Sequence, residues 1–332
     1  MRFGLQLHGT LPLESFGPLA AEGERLGFED VTFHDTLMRR PVWPVLCDIA
    51  RATRSVLVGP NVTHPYLQHP AVIAANVAHL DEVSNGRAVL GIGRGSLYEL
   101  VDQSHRGTLR GVAESVTVIR MLLTGEPGTW SGDEFGLGPG QGLKFGEHRD
   151  IPVYLGTFGP KGCRLAGEIA DGVRAAAQWD PSYMVVARDW VREGAERAGR
   201  SPDEVDLIVE NWTCLHPDRD KARRHARRIV ATFLPELGPL LEFYRIPPEE
   251  LGAARRFTVD GDESALEGIS ETTIDRFMAA GDADDLSRGL DAIADAGFDA
   301  VSFSGVLGPE PEIALAMLGE EIAARLGGAT ER

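Results

Sequence analysis

Residues 55–69, S-V-L-V-G-P-N-V-T-H-P-Y-L-Q-H, and residues 80–96, L-D-E-V-S-N-G-R-A-V-L-G-I-G-R-G-S, decide the fold. Each contains a short apolar run, Ser55 to Val58 and Ala88 to Ile92, that ends in a loop of Gly, Pro, Asn and His. Between them Pro70 to Val83 has helical spacing and stops at Asn85-Gly86. The block is a strand–helix–strand unit whose polar residues gather at the carboxyl ends of its strands. In parallel α/β proteins ligands bind at those ends.

Outward from this block the same alternation continues. Strands are expected at Arg2 to Leu7, Val31 to Phe33, Val153 to Gly156, Gly172 to Ala176, Val205 to Leu215 and Asp299 to Phe303. Helical patterns separate them, among them Glu14 to Leu26, Pro41 to Thr53, Thr108 to Leu123 and Pro160 to Ile169. Eight strands alternating with helices predict an α/β fold of the (β/α)8 TIM-barrel class. Two segments interrupt the pattern, after strands four and seven. About 126–150 is Gly-rich and reads as a hairpin or loop, and about 235–280 is Pro-rich, then of mixed charge. No composition break divides the chain, so residues 1–332 are expected to form one domain. An open doubly wound sheet would need G-x-G-x-x-G directly after the first strand, where Gln6-Leu7-His8-Gly9 stands instead.

Composition narrows the function. A net charge of −17 disfavours nucleic acid and anionic membranes, which need basic surface. No apolar run is long enough to span a bilayer, and the opening M-R-F-G-L-Q-L-H-G turns polar too soon for a signal peptide, so a cytoplasmic protein is expected. Cys47, Cys163 and Cys214 have neither disulfide nor zinc spacing. No H-x-H or H-E-x-x-H motif suggests a metal, and no G-x-S-x-G suggests a nucleophile.

Three loops can carry chemistry. Gly156 to Glu168, G-T-F-G-P-K-G-C-R-L-A-G-E, joins a strand to a helix amino terminus, where free N–H groups, Gly159, Gly162 and Lys161 suit a phosphate. The same residues also suit an ordinary strand-to-helix turn. Gly59 to Pro65 is stiffened by two prolines, and Phe33 to Met38 places His34, Asp35 and Thr36 after the second strand. His34 and Asp35 are adjacent, so on a strand they would face opposite ways.

Taken together, the chain resembles the bacterial-luciferase-like superfamily, and within it the deazaflavin-dependent branch typified by methylenetetrahydromethanopterin reductase. The likeness is carried by residues 59–75, G-P-N-V-T-H-P-Y-L-Q-H-P-A-V-I-A-A, residues 80–95, residues 152–172 and residues 297–310, in order along the chain. The resemblance implies a barrel, usually dimeric, that binds coenzyme F420 or, in other branches, FMN. It implies hydride-transfer chemistry on a small-molecule substrate. It implies a non-prolyl cis peptide at Asn61–Val62 beneath the coenzyme ring, with Thr63 beside it. It places the phosphate at Gly159, Pro160, Lys161 and Gly162, and Gly93, Arg94, Gly95 and Ser96 along the coenzyme tail and ring pocket. Asp35, Thr36 and His64 are the candidate catalytic residues.

Two departures stand out. Relatives often carry Asp-His after strand two, where this chain has Asp35-Thr36, and an acid where this chain has Ser96. Either the reaction needs only hydride transfer, or His8, His34, His64 or Glu99 supplies a proton. The expected function is a coenzyme F420-dependent oxidoreductase. The alternatives are an FMN-dependent monooxygenase and a non-catalytic coenzyme-binding relative.

Overall fold

The computed structural model describes residues 1–95, 101, 107–146 and 149–329. Its contacts divide it into two compact units. One is Gly4–Arg174 with Arg188–Leu207, and the other is Met1–Phe3 with Ala175–Ala187 and Ile208–Arg332.

The first unit is built from successive strand–helix pairs. They are β1 (Arg2–Leu7) and α1 (Phe16–Arg25), β2 (Asp30–Phe33) and α2 (Val42–Ala52), β3 (Leu57–Pro60) and α3 (Pro70–Ser84), and β4 (Leu90–Ile92) and α4 (Leu109–Leu123). An antiparallel hairpin, β5 (Gly128–Ser131) and β6 (Gly136–Gln141), follows α4, so the Gly-rich segment takes the hairpin form. Then come β7 (Val153–Gly156), α5 (Pro160–Ile169) and β8 (Gly172–Ala175), with α6 (Ser182–Arg197) passing into both units. Helix ends follow local chemistry. Pro70 opens α3, where a missing N–H costs nothing, and Asn85 closes it in the left-handed conformation at φ 58°.

The second unit holds most of β9 (Asp206–Leu215), α7 (Arg219–Phe233), α8 (Pro239–Phe243), α9 (Pro248–Arg255), α10 (Glu271–Phe277), β10 (Met278–Gly281), α11 (Ala283–Asp295), β11 (Ala300–Leu307) and α12 (Pro311–Ala329). Residues 235–280 are therefore largely helical and end in a strand that the sequence reading did not contain. β10 pairs in parallel with β9, Met278 opposite Trp212 and Gly281 opposite Leu215. Met-Ala-Ala-Gly carries no β-branched or aromatic residue and follows α10 without a break, so it gives no strand signal.

The strand order is β3-β2-β1-β11-β9-β8-β7-β4, with β10 beside β9. The two ends of that order meet, because Val58 on β3 bridges Ala88 just before β4. Eight parallel strands linked in this way have the topology of a (β/α)8 barrel. β1 and β2 are buried on both faces, as expected where helices cover one side. Their helix-facing residues pack on the outer layer; Phe33 meets Phe16 with ring centroids 5.3 Å apart.

A polar cluster is buried among β2, β7, β8 and the start of β9. Asp30, the first residue of β2, accepts a hydrogen bond from Arg174 Nη2 at 2.9 Å, and both side chains are nearly fully buried. The Arg174 guanidinium lies 5.2 Å from the Tyr154 ring centroid, and the Tyr154 hydroxyl donates to Asp206 Oδ2 at 3.1 Å. Burial, above all, raises the Tyr154 hydroxyl pKa, so it stays a donor. The cluster ties β2, β7, β8 and β9 to one another, and Arg174 pairs in register with Gly156. Removing one partner would leave a buried charge without its counterpart. Arg174→Ala is expected to cost about 3–5 kcal/mol in urea unfolding, whereas the double change Asp30→Asn with Arg174→Met is expected to recover much of that loss.

Candidate functional site

The segment Asn61–Thr63 leaves β3 but stays fastened on three sides. Asn61 N–H donates to Phe33 O of β2 at 2.9 Å. Thr63 N–H donates to Gly91 O, and Gly93 N–H to Thr63 O, both at 2.9 Å, so the ladder with β4 continues past the end of β3. The buried Gln6 amide, on β1, donates to Asn61 O. The Asn61–Val62 peptide is cis, at the bond the family resemblance pointed to.

Val62 then sits in a recess made by glycines. A Cβ on Gly156 would lie 2.6 Å from Val62 Cγ1, one on Gly93 3.0 Å from Cγ2, and one on Gly91 3.2 Å from Cγ1. A Cβ on Gly156 would force Val62 to shift, one on Gly93 would press on it, and one on Gly91 would first overlap Pro60 O. The side chain itself is half-buried and leaves part of its surface open.

Beside this recess stands a carboxylate. Asp35 Oδ2 accepts from Thr63 Oγ1 at 2.7 Å and from Gln68 Nε2 at 3.3 Å, and Gln68 Oε1 accepts from Trp43 Nε1 at 2.9 Å. His64 is buried, which lowers its pKa, while the Asp35 carboxylate opposes that shift. Asp35, Thr63 and His64 are thus brought together. Thr36 is half-buried, and only its carbonyl is bonded, accepting from Arg39 N–H at 3.2 Å. Its hydroxyl takes no part in the Asp35 group among the described residues.

His34 lies beyond the last residue of β2, so strand alternation no longer separates it from Asp35. It faces His8, with ring centroids 4.6 Å apart. Gly9 N–H donates to His34 Nε2 at 3.0 Å, and His8 Nδ1 is 2.6 Å from Thr10 Oγ1. Burial, reinforced by His8 and Arg39, lowers His34 to about 3; burial and then Arg39 lower His8 to about 4. Both shifts favour the neutral imidazole at pH 7. Glu99 and Ser96 lie outside the described residues. Arg94 and Gly95 are exposed just past β4, and Gly95 takes φ 79°, where glycine is favoured.

The third loop ends β7 and opens α5. Gly159 is the N-cap in extended conformation, Pro160 occupies the first turn, and no side chain caps the helix. The first helical bond is Cys163 N–H to Gly159 O at 2.9 Å. The N–H groups of Lys161 and Gly162 donate to no group among the described residues, and the Lys161 side chain is exposed. Gly162 is buried because its turn rests on Thr157, where any Cβ would overlap the hydroxyl. Two free donors, a helix dipole and a lysine suit an anion.

Among the described residues, no group of His, Cys, Asp and Glu is placed to hold a metal ion. A family model described as luciferase-like monooxygenase matches residues 1–300. The chain belongs to that family. This luciferase-like chain is 33% identical over 331 residues to 5,10-methylenetetrahydromethanopterin reductase of Methanolobus tindarius, covering 97% of the chain and 99% of the relative. It is 30% identical to F420-dependent glucose-6-phosphate dehydrogenase of Nakamurella multipartita, covering 98% and 96%. The solved coenzyme F420 dependent tetrahydromethanopterin reductase of Methanopyrus kandleri superposes with a TM-score of 0.87 at 28% identity, covering 98% and 99%.

Two expected outcomes follow from this geometry in the luciferase-like chain. Gly156→Ala should push Val62 out of its recess and cost about 1–3 kcal/mol of stability, read as a lower urea midpoint. Both histidines have lowered folded-state values, so the unfolded chain takes up their protons first. Stability is complete above about pH 6.5 and falls as pH drops toward about 4 and about 3. His34→Gln should remove up to about 1.4 kcal/mol per pH unit of that slope, and an unchanged slope would show that His34 does not titrate this way.

Proposed function

We propose that this chain is a coenzyme F420-dependent oxidoreductase, with a small organic substrate as its hydride partner. The reading is carried by one observation: the uncapped α5 amino terminus with Lys161 stands in the same unit as the glycine-walled Val62 recess. A deazaflavin coenzyme, with a flat ring and a phosphate-bearing anionic tail, needs both features. The family membership and the F420-dependent relatives support the choice of coenzyme.

When bound, the coenzyme supplies a two-electron hydride carrier. The residues of the chain have separate tasks in this reading. Gly159, Pro160, Lys161 and Gly162 hold the phosphate through backbone N–H groups and the Lys161 ammonium. Asn61, Val62 and Thr63 back the ring, and Gly93, Arg94 and Gly95 line the adjoining wall. Asp35, oriented by Thr63 and Gln68, offers a fixed acceptor to a ring or substrate N–H or O–H group. His64, held toward its neutral form by burial, is a positioning group beside it. Thr36 is the weakest member, because its hydroxyl is not tied to this group. A cytoplasmic homodimer belongs to the same reading and rests on the acidic composition and the family likeness.

Titrating the purified protein into coenzyme F420, with the deazaflavin fluorescence followed, tests the proposal. Saturable binding in the micromolar range is expected, and Lys161→Ala should weaken it by removing a charge-assisted contact worth about 1.5–3 kcal/mol. No binding at tens of micromolar protein would sink the reading, and an unchanged dissociation constant for Lys161→Ala would place the phosphate elsewhere.

A further inference from the structure

The hairpin β5–β6 contributes no residue to the proposed coenzyme site, yet its tip is bonded to the starts of both α3 and α4. Tyr66 OH donates to Glu134 Oε2 at 2.6 Å, and Thr108 Oγ1 donates to Glu134 Oε1. Thr108 N–H donates to the Tyr66 hydroxyl oxygen at 2.8 Å. Thr108 is the N-cap of α4 and accepts from Gly111 N–H at 2.9 Å. The next tip residue, Phe135, packs against Tyr66 and against His69, with centroids 5.5 and 5.8 Å apart. His69 is the N-cap of α3.

The tip is itself held in shape. Glu114 of α4 accepts from the N–H groups of Asp133, Glu134 and Phe135 at 3.0, 2.8 and 2.9 Å, and Arg110 pairs with Asp133. Gly111 leaves the room that the clamp needs, since a Cβ there would overlap the Tyr66 hydroxyl and lie 2.6 Å from Glu134 Oε2. Gly107 likewise stands against Arg94 O and the Tyr66 ring. The clamp therefore joins three chain positions. Tyr66 is three residues beyond Thr63, Gly107 meets the backbone of Arg94, and Thr108 begins α4.

We propose that Glu134 and Tyr66 are positioning residues, and that the hairpin tip clamps the segment Asn61–Tyr66 against the start of α4 so that the coenzyme-facing residues keep their register. The inference rests on the F420 reading for what that segment binds. A single carboxylate takes two hydroxyl donors here. Loss of either donor leaves it short of a partner, so the clamp is sensitive to one hydroxyl. Pro65 stiffens the short link from Thr63 to Tyr66, so a displacement of the ring is passed back to the recess.

The test uses the full chain and three variants: Tyr66→Phe, Glu134→Ala and Glu134→Gln. Amide hydrogen exchange read by mass spectrometry reports on Asn61–Tyr66 in the free protein, and fluorescence titration reports coenzyme F420 affinity. Exchange over Asn61–Tyr66 should rise about fivefold or more in Tyr66→Phe and Glu134→Ala, with β9–β11 unchanged, and F420 affinity should fall about five- to tenfold. Glu134→Gln, which keeps an acceptor oxygen, should recover part of both. Tyr66→Phe removes one hydroxyl only, so it keeps the test valid where Glu134→Ala does not fold. Unchanged exchange over Asn61–Tyr66, or a rise of equal size throughout the chain, overturns the clamp. Failure of the unaltered protein to bind F420 overturns the coenzyme reading instead, and leaves exchange to decide the clamp.

Discussion

The close approach of Gly91, Gly93 and Gly156 to the side chain of Val62 is the contact on which the candidate site depends. Those glycines lie along β4, at its end, and at the end of β7, and each would lose the contact if it carried a Cβ. The recess exists because the chain beyond β3 does not turn away. It remains bonded to β2 through Asn61 and to β4 through Thr63. Gln6 closes the third side from β1. A surface of this kind is set by backbone positions rather than by flexible side chains, which is what a flat ring needs from its support.

Polar groups divide along the strands. Within the strands, Asp30, Arg174, Tyr154 and Asp206 interact with one another and link β2, β7, β8 and β9. At the carboxyl ends the groups are left with something to offer. Asp35 is oriented through one oxygen, two N–H groups of the α5 amino terminus have no acceptor among the described residues, and burial favours neutral His8 and His34. Open polar groups at the carboxyl ends follow the rule for this topology, where chemistry is found at those ends. A net charge of −17 is no bar to an anion at the α5 amino terminus. The cation and the helix dipole act locally, within the first turn.

Much of the fold was legible in the sequence because Gly, Pro and Asn punctuate it. Asn85-Gly86 ends α3 at the position the pattern suggests, whereas β3 runs two residues past the expected Val58, through Gly59 and Pro60. β10 was not legible, since four residues of Met, Ala and Gly resemble the helices on either side. The loops of the candidate site could be located by their residue types, but their bonding could not. Gln6 reaches a residue 55 positions away, Gln68 one 33 away, and Tyr66 one 68 away. No spacing rule covers such pairs, because strand neighbours and the β5–β6 hairpin bring them together only in the folded chain. The pairing of His34 with His8 was hidden for a related reason: alternation applies within β2, and both His34 and Asp35 lie past its end.

The most direct measurement is a crystal structure of the protein grown with coenzyme F420. The account predicts the deazaflavin ring against Val62 and the Asn61–Val62 peptide, with the phosphate on the N–H groups of Lys161 and Gly162. A coenzyme whose ring leaves the Val62 recess empty, or whose phosphate sits away from the α5 amino terminus, would contradict it.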